Sequence, residues 1–329
     1  MEIPKITHNG LSFVNVTKPN LEQLKFLNKE FGFSMLNLED YLYKTQIPKI
    51  EVYDGYTLLV LDTPYTQQPV RSNGNKPGTN NSLVGRMFPP RGLRRKRILL
   101  GEVDFFIGKD YVVVLHDERT PQINHLFELC KHDENQRKEL MGKGAPFLFY
   151  RITDQLVDTS IACVDELNNT IESIDEQLEE KSSAAVIEDI SITRRNIVVF
   201  ETMIKPTLPL FTDLEKGKYT ELGGNMIPYW SNILDHVQKV WDRLEDSKEL
   251  IEGIARSHES MLTVRTNEII KVLTMFTAIM LPLTFVASLY GMNVELPFGQ
   301  LPGAFFMLLA IMTGLAVLMI LYFRSRDWL

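Results

Sequence analysis

Near the C-terminus, residues 269 to 290 and 303 to 323 form two apolar stretches, the first broken only by Lys271 and the second free of charge. Each supplies about 20 residues, enough for a helix to cross a hydrocarbon core of about 30 Å. Between residues 272 and 323 the chain carries one charged side chain, Glu295. A hairpin buried in a large soluble core is the alternative, but length, pairing and lack of charge favour a bilayer. The connector, residues 294 to 302, contains no Lys or Arg, whereas Arg265 and Lys271 precede the first stretch and Arg324 and Arg326 follow the second. Excess positive charge stays on the cytosolic side. The connector is therefore expected outside and both ends of the chain inside, in a cell (inner or plasma) membrane. Lys271 can snorkel toward water, and Pro282, well inside the first span, removes one backbone hydrogen bond that neighbouring helices can accommodate.

The other residues are of a different kind. The net charge of −7 argues against generic nucleic-acid binding, which requires an excess of Lys and Arg against phosphate. The basic run Arg91 to Arg97 is the exception, read as a solvated loop or as a contact with anionic lipid or an acidic neighbouring subunit. Cys130 and Cys163 lie in no CxxC or Cys/His cluster, so neither a disulfide framework nor a zinc knuckle is expected. Residues 1 to 10 lack the basic start and apolar core of a signal peptide, which leaves the C-terminal stretches to direct insertion. "GKGAP" at 142 to 146 lacks the spacing and hydroxyl of a phosphate-binding loop.

Up to about residue 146, short β-branched runs at 11 to 17, 57 to 63, 103 to 108 and 111 to 117 alternate with helical patterns at 20 to 32 and 121 to 132. That is a mixed α/β domain, with a Gly-, Pro- and Asn-rich loop over 66 to 82. Helix then takes over. Val164, Leu167, Ile171, Ile174 and Leu178 follow at steps of 3, 4, 3 and 4, with carboxylates on the other faces, as in a helix that needs a partner helix. The acidic face reads as solvated surface rather than a cation site. The helical pattern continues through 191 to 211, where Pro206 and Pro209 are expected to end it. A third block begins near Ile227; if continuous from Ser231 to Tyr290 it holds about 60 residues and spans roughly 90 Å.

This combination resembles the CorA-type divalent-cation transporters. The residues that carry the likeness are "VRTNEIIKVLTMFTAIMLPLTFVASLYGMN" at 264 to 293, with the Gly-Met-Asn tripeptide at the outer end of the first span, a short outer loop, and a second span closing on "DWL". Before about residue 145 the resemblance is one of architecture only. It implies an α+β cytosolic domain (1–146), coiled-coil or stalk helices (147–226), the cytosolic part of a long helix (227–268), a pore-lining transmembrane helix (269–290), an outer loop (291–302), a second, lipid-facing transmembrane helix (303–323) and a cytosolic tail (324–329). Two helices cannot enclose an aqueous path, so several chains must assemble; the resemblance implies a homopentamer around a central pore. It also implies a transporter rather than an enzyme, carrying Mg2+ and also Co2+.

The pore face that the resemblance implies maps onto Asn267, Ile270, Leu273, Thr277, Leu281 and Thr284, then Asn293. Steps of 3, 3, 4, 4 and 3 from Asn267 to Thr284 put these on one helical stripe. Polar ends and an apolar middle suit a path gated by dewetting at Ile270 and Leu273. Mg2+ keeps several of its waters when bound, so its filter should offer neutral oxygens to the hydration shell. Asn293 offers a side-chain carbonyl and Gly291 an unobstructed backbone carbonyl; with Thr284 they are the expected ion contacts, while Tyr290 and Met292 pack the filter. Glu295 is expected to form an acidic ring at the outer mouth, although its order relative to Leu296 and Pro297 departs from the family's pattern. The basic C-terminal cluster of the family is reduced to Arg324 and Arg326, followed by Asp327. Relatives also bind a regulatory Mg2+ between cytosolic domains, and one acidic position of that site is Arg256 here. A Zn2+ or Ni2+ transporter of the same superfamily, and a membrane-anchored sensor or scaffold that conducts nothing, are the rival readings.

Overall fold

The computed structural model describes residues 3–43, 46–67, 96–180, 184–292, 303–326 and 328. Most of the loop expected at 66 to 82, residues 91 to 95 of the basic run, Asn293 and Glu295 lie outside the described residues. The chain divides into two compact units, Met1–Ile254 and Ala255–Leu329.

The first unit is built on a six-stranded sheet of β1 (Lys5–His8), β2 (Leu11–Thr17), β3 (Lys49–Tyr53), β4 (Tyr56–Gln67), β5 (Arg97–Ile107) and β6 (Tyr111–His116), in the order β1-β2-β6-β5-β4-β3. Only β2 and β6 pair in parallel. On one face lie α1 (Leu21–Phe31) and α2 (Met35–Tyr43), whose Leu24, Leu27 and Leu38 close a core over Val14, Val60 and Phe106. Helix α1 starts on a capping box between Asn20 and Gln23 and stops at Gly32, whose φ of +74° favours glycine. The opposite face meets α3 (Pro121–His132) and α5 (Ala145–Glu180): Phe13 packs edge-on against Phe127, and Phe105 against Phe149. The short α4 (Glu134–Met141) links those two helices.

Two expectations from sequence are corrected here. Strand β4 does not stop at residue 63 but runs through Pro64, paired with Leu100 of β5. Pairing to β3 ends at Val60, so from Leu61 onward β4 has an edge with no described partner strand, where proline removes no ladder bond. Pro206 and Pro209 do not end a helix either. They lie inside α6 (Ala184–Glu215), which is separate from α5. An interior proline costs about 3 kcal/mol or more, but Phe200, Met203, Ile204, Leu210, Phe211 and Leu214 are buried on both sides of the pair. Each such burial is worth about 1.5 to 3 kcal/mol, and packing overrides the local preference.

The stripe Val164, Leu167, Ile171, Ile174 and Leu178 of α5 is buried throughout. Partner helices are α6 and the first part of α7 (Ile227–Tyr290), whose Trp230 stands 5.3 Å from Phe149 between ring centroids. Arg243 of α7 bonds Asp165 of α5 at 2.6 Å, and Lys248 bonds Glu201 of α6 at 2.7 Å. Part of the acidic face thus serves helix pairing.

Candidate functional site

In the second unit, α7 continues to Tyr290 and is followed by α8 (Ala304–Ser325). Both are long and apolar enough to cross a membrane, and only 6 % and 0 % of their most apolar windows is buried. The buried-hairpin alternative fails on that count, because a core helix would be covered by its own chain. Exposed apolar surface of this extent demands lipid or other subunits.

Asn267, Ile270, Leu273, Thr277, Leu281 and Thr284 all lie on α7 within one unbroken helix, and all six are exposed in the single chain. Helical periodicity alone sets them on one side. Thr277, Leu281 and Thr284 line a single open groove flanked by Phe276 and Phe285. Ser288 belongs to the same groove. It continues the stripe four residues after Thr284, a position that the spacing offered and the sequence reading passed over.

The threonine hydroxyls have their protons committed. Thr277 donates to Leu273 O at 2.9 Å and Thr284 to Met280 O at 2.8 Å. Back-bonding of this kind turns the oxygen lone pairs outward as acceptors. An acceptor-only surface suits a hydrated cation, whose waters present hydrogens.

The helix closes at the residues singled out as the filter. Gly291 N–H donates to Ala287 O at 2.9 Å and Met292 N–H to Leu289 O at 3.3 Å. A Cβ at position 291 would stand 3.3 Å from Ala287 O, a contact tighter than most side chains make. Gly291 is favoured here by close approach, not by a left-handed backbone. A helix C-terminus also carries about half a negative charge, so the point where α7 stops attracts cations before any side chain is counted. Asn293 and Glu295 fall outside the described residues, so Tyr290, Gly291 and Met292 are the filter positions with a described backbone.

The family model for CorA-like Mg2+ transporter proteins matches residues 78–325. The chain belongs to this family. It is therefore a CorA-type divalent-cation transporter, a membrane protein with two transmembrane helices. Among curated relatives, the cobalt/magnesium transport protein CorA of Thermotoga maritima is 25 % identical over 301 residues, covering 91 % of this chain and 78 % of that one. A putative metal ion transporter of Bacillus subtilis is 24 % identical over 317 residues, 96 % of this chain and 89 % of that one. The solved structure of the CorA magnesium transporter from Methanocaldococcus jannaschii superposes with a TM-score of 0.78 at 19 % identity, covering 98 % of this chain and 94 % of that one. At that identity the likeness is one of fold, and the fold is the full CorA architecture.

Arg256, the expected counterpart of one acidic position in a regulatory metal site, carries a guanidinium, which has donors and no acceptor for a metal ion. Among the described residues no three His, Cys, Asp or Glu side chains converge to hold a metal ion. Arg256 does not fit that role.

Proposed function

We propose that this CorA-type chain carries Mg2+, and Co2+ as a second cargo, into the cytosol down its electrochemical gradient through a homopentameric pore. The observation that carries the reading is the α7 stripe, polar at Asn267, apolar at Ile270 and Leu273, hydroxyl-bearing at Thr277, Thr284 and Ser288, and ending at Gly291. Five such stripes around an axis make a wall whose oxygens accept hydrogen bonds from a retained hydration shell. Gly291, Met292 and Asn293 form the filter with Tyr290 packed behind, Gly291, Asn293 and Thr284 face the ion, and Glu295 adds an acidic ring at the outer mouth. Helix α8 faces lipid, and both ends of the chain are cytosolic.

The driving force is sufficient without a second substrate. Moving a doubly charged ion inward through about 100 mV gains roughly 4.6 kcal/mol, twice the single-charge value. Neutral oxygens avoid holding such an ion too tightly to release it.

Flux into proteoliposomes tests the proposal, with Mg2+, Co2+, Zn2+ and Ni2+ compared under one imposed potential. Mg2+ and Co2+ uptake that collapses in Asn293→Ala is the expected result. Zn2+ or Ni2+ uptake without Mg2+ uptake would assign the chain to the rival cargo, and no uptake of any ion would leave a scaffold.

A further inference from the structure

On the sheet face beneath α2, a core row carries charge. The register aligns Lys49, Val60, Asp104, Leu115 and Val16 across five strands, and in the adjacent row Asp62 pairs with Glu102. Directly opposed residues share a face, as do residues two apart on a strand. Asp62, Glu102 and Asp104 therefore stand on the face that bears Leu58, Val60 and Phe106 of the core. Asp104 is 0 % exposed. Neither of its carboxyl oxygens meets a hydrogen-bond donor among the described residues, and Oδ1 of Asp62 meets none either. Glu102 differs, accepting from the Gln46 backbone N–H at 2.8 Å and from its side-chain amide at 3.4 Å.

The groups that face Asp104 are Glu102 on its own strand, Asp62 on β4, Lys49 on β3 and Asp40 on α2. Tyr41 of α2 feels Asp104 and Glu102 together with Asp117, which follows β6. Lys49 is the cation in this set, and its Nζ lies 3.0 Å from Glu51 Oε1. The set is thus strongly acidic. An ionised carboxylate buried without donors neutralises itself rather than bear the loss of water. Among the described residues no three His, Cys, Asp or Glu side chains are arranged to hold a metal ion, which leaves a proton as the simplest neutralising partner.

We propose that Asp104 holds a proton in the folded protein at neutral pH, and that Asp62, Glu102 and Asp104 together form a proton-uptake cluster in the unit Met1–Ile254. Burial first, and then the Glu102 charge, hold the Asp104 carboxyl well above the usual range. The same two causes push Asp62 up to about 7, and burial also raises Glu102. The unfolded chain, with Asp near about 3.9, releases these protons. From about pH 4 upward the folded state therefore binds more protons than the unfolded chain, so stability falls as pH rises. The Asp62 share of that slope ends above about pH 7, while the Asp104 share persists as long as Asp104 keeps its proton. His116, buried and held below the usual histidine range by desolvation, acts in the opposite sense below about pH 6.5. Replacing a carboxylate leaves the His116 contribution in place, which separates the two.

Infrared spectra of the full-length protein in lipid nanodiscs, recorded between about pH 8 and about pH 6 and compared both across pH and between wild type and variant, read the cluster directly. The wild type is expected to show a carboxylic-acid carbonyl band at neutral pH that vanishes in Asp104→Asn, and a second band that grows on acidification and is lost in Asp62→Asn. The thermal unfolding temperature should rise toward acid over the same range in the wild type and rise less steeply in Asp62→Asn, where the Asp104 share remains, which keeps the test open if Asp104→Asn fails to fold. Bands that survive both substitutions, or parallel pH profiles for wild type and Asp62→Asn, would overturn the proposal.

Discussion

Thr284 shows how much a single atom decides in the proposed ion path. Its hydroxyl proton is held by Met280 O at 2.8 Å, so its oxygen is left as an acceptor. Thr284→Val keeps the shape and removes the oxygen, while Thr284→Ser keeps the oxygen. A hydrogen bond to a charged group is worth about 1.5 to 3 kcal/mol, so Mg2+ flux should fall about tenfold or more in the valine variant and little in the serine variant. Stopped-flow flux in proteoliposomes separates them, and equal rates would remove Thr284 from the ion contacts. The stripe itself was legible because helical spacing is a local property of sequence. Ser288, four residues after Thr284, was equally legible from the same spacing. The close approach at Gly291 was not legible, since it depends on where Ala287 O stands.

Among the elements, long periodic segments were readable and short ones were not. Helices α1 and α3 and strands β2 and β6 emerged within a residue or so of their observed bounds. Strands β1 and β3 and helix α2, of 4, 5 and 9 residues, are too short for a period to declare itself. Their order comes from pairing partners distant in sequence. Pro64 and Pro206 misled for the same physical reason: a proline reports its local cost, but not the open edge or the buried face that absorbs it. Trp230 at the start of α7 illustrates the force of such packing. It is 1 % exposed and meets the rings of Phe149 and Tyr150. Trp230→Ala should therefore destabilise the unit Met1–Ile254 by about 3 to 5 kcal/mol. Thermal unfolding of the full-length protein checks this; a loss within about 0.5 kcal/mol, the range of a surface substitution, would mean that the aromatic cluster is not what seats the helix.

At the scale of the whole molecule, orientation is open to direct measurement. Native Cys130 and Cys163 are buried, and burial pushes both thiols up to about 11, so they react slowly with a thiolate-directed reagent. Gln300→Cys in the connector should be labelled from outside intact cells by a membrane-impermeant maleimide, and Ser325→Cys only after permeabilisation. The reverse pattern would invert the topology. Most of the surface ion pairs, such as Arg243 with Asp165, are each worth about 1 kcal/mol or less, so moderate salt should leave the unit Met1–Ile254 folded while these assays run. The committed hydroxyls of Thr277 and Thr284 carry one further consequence for the cell. A relay that hops protons along a wall needs each hydroxyl to hand its own hydrogen forward while taking another, and these two have none to give. On the proposed path, hydrated ions would pass such a wall without these two hydroxyls leaking the membrane's proton-motive force.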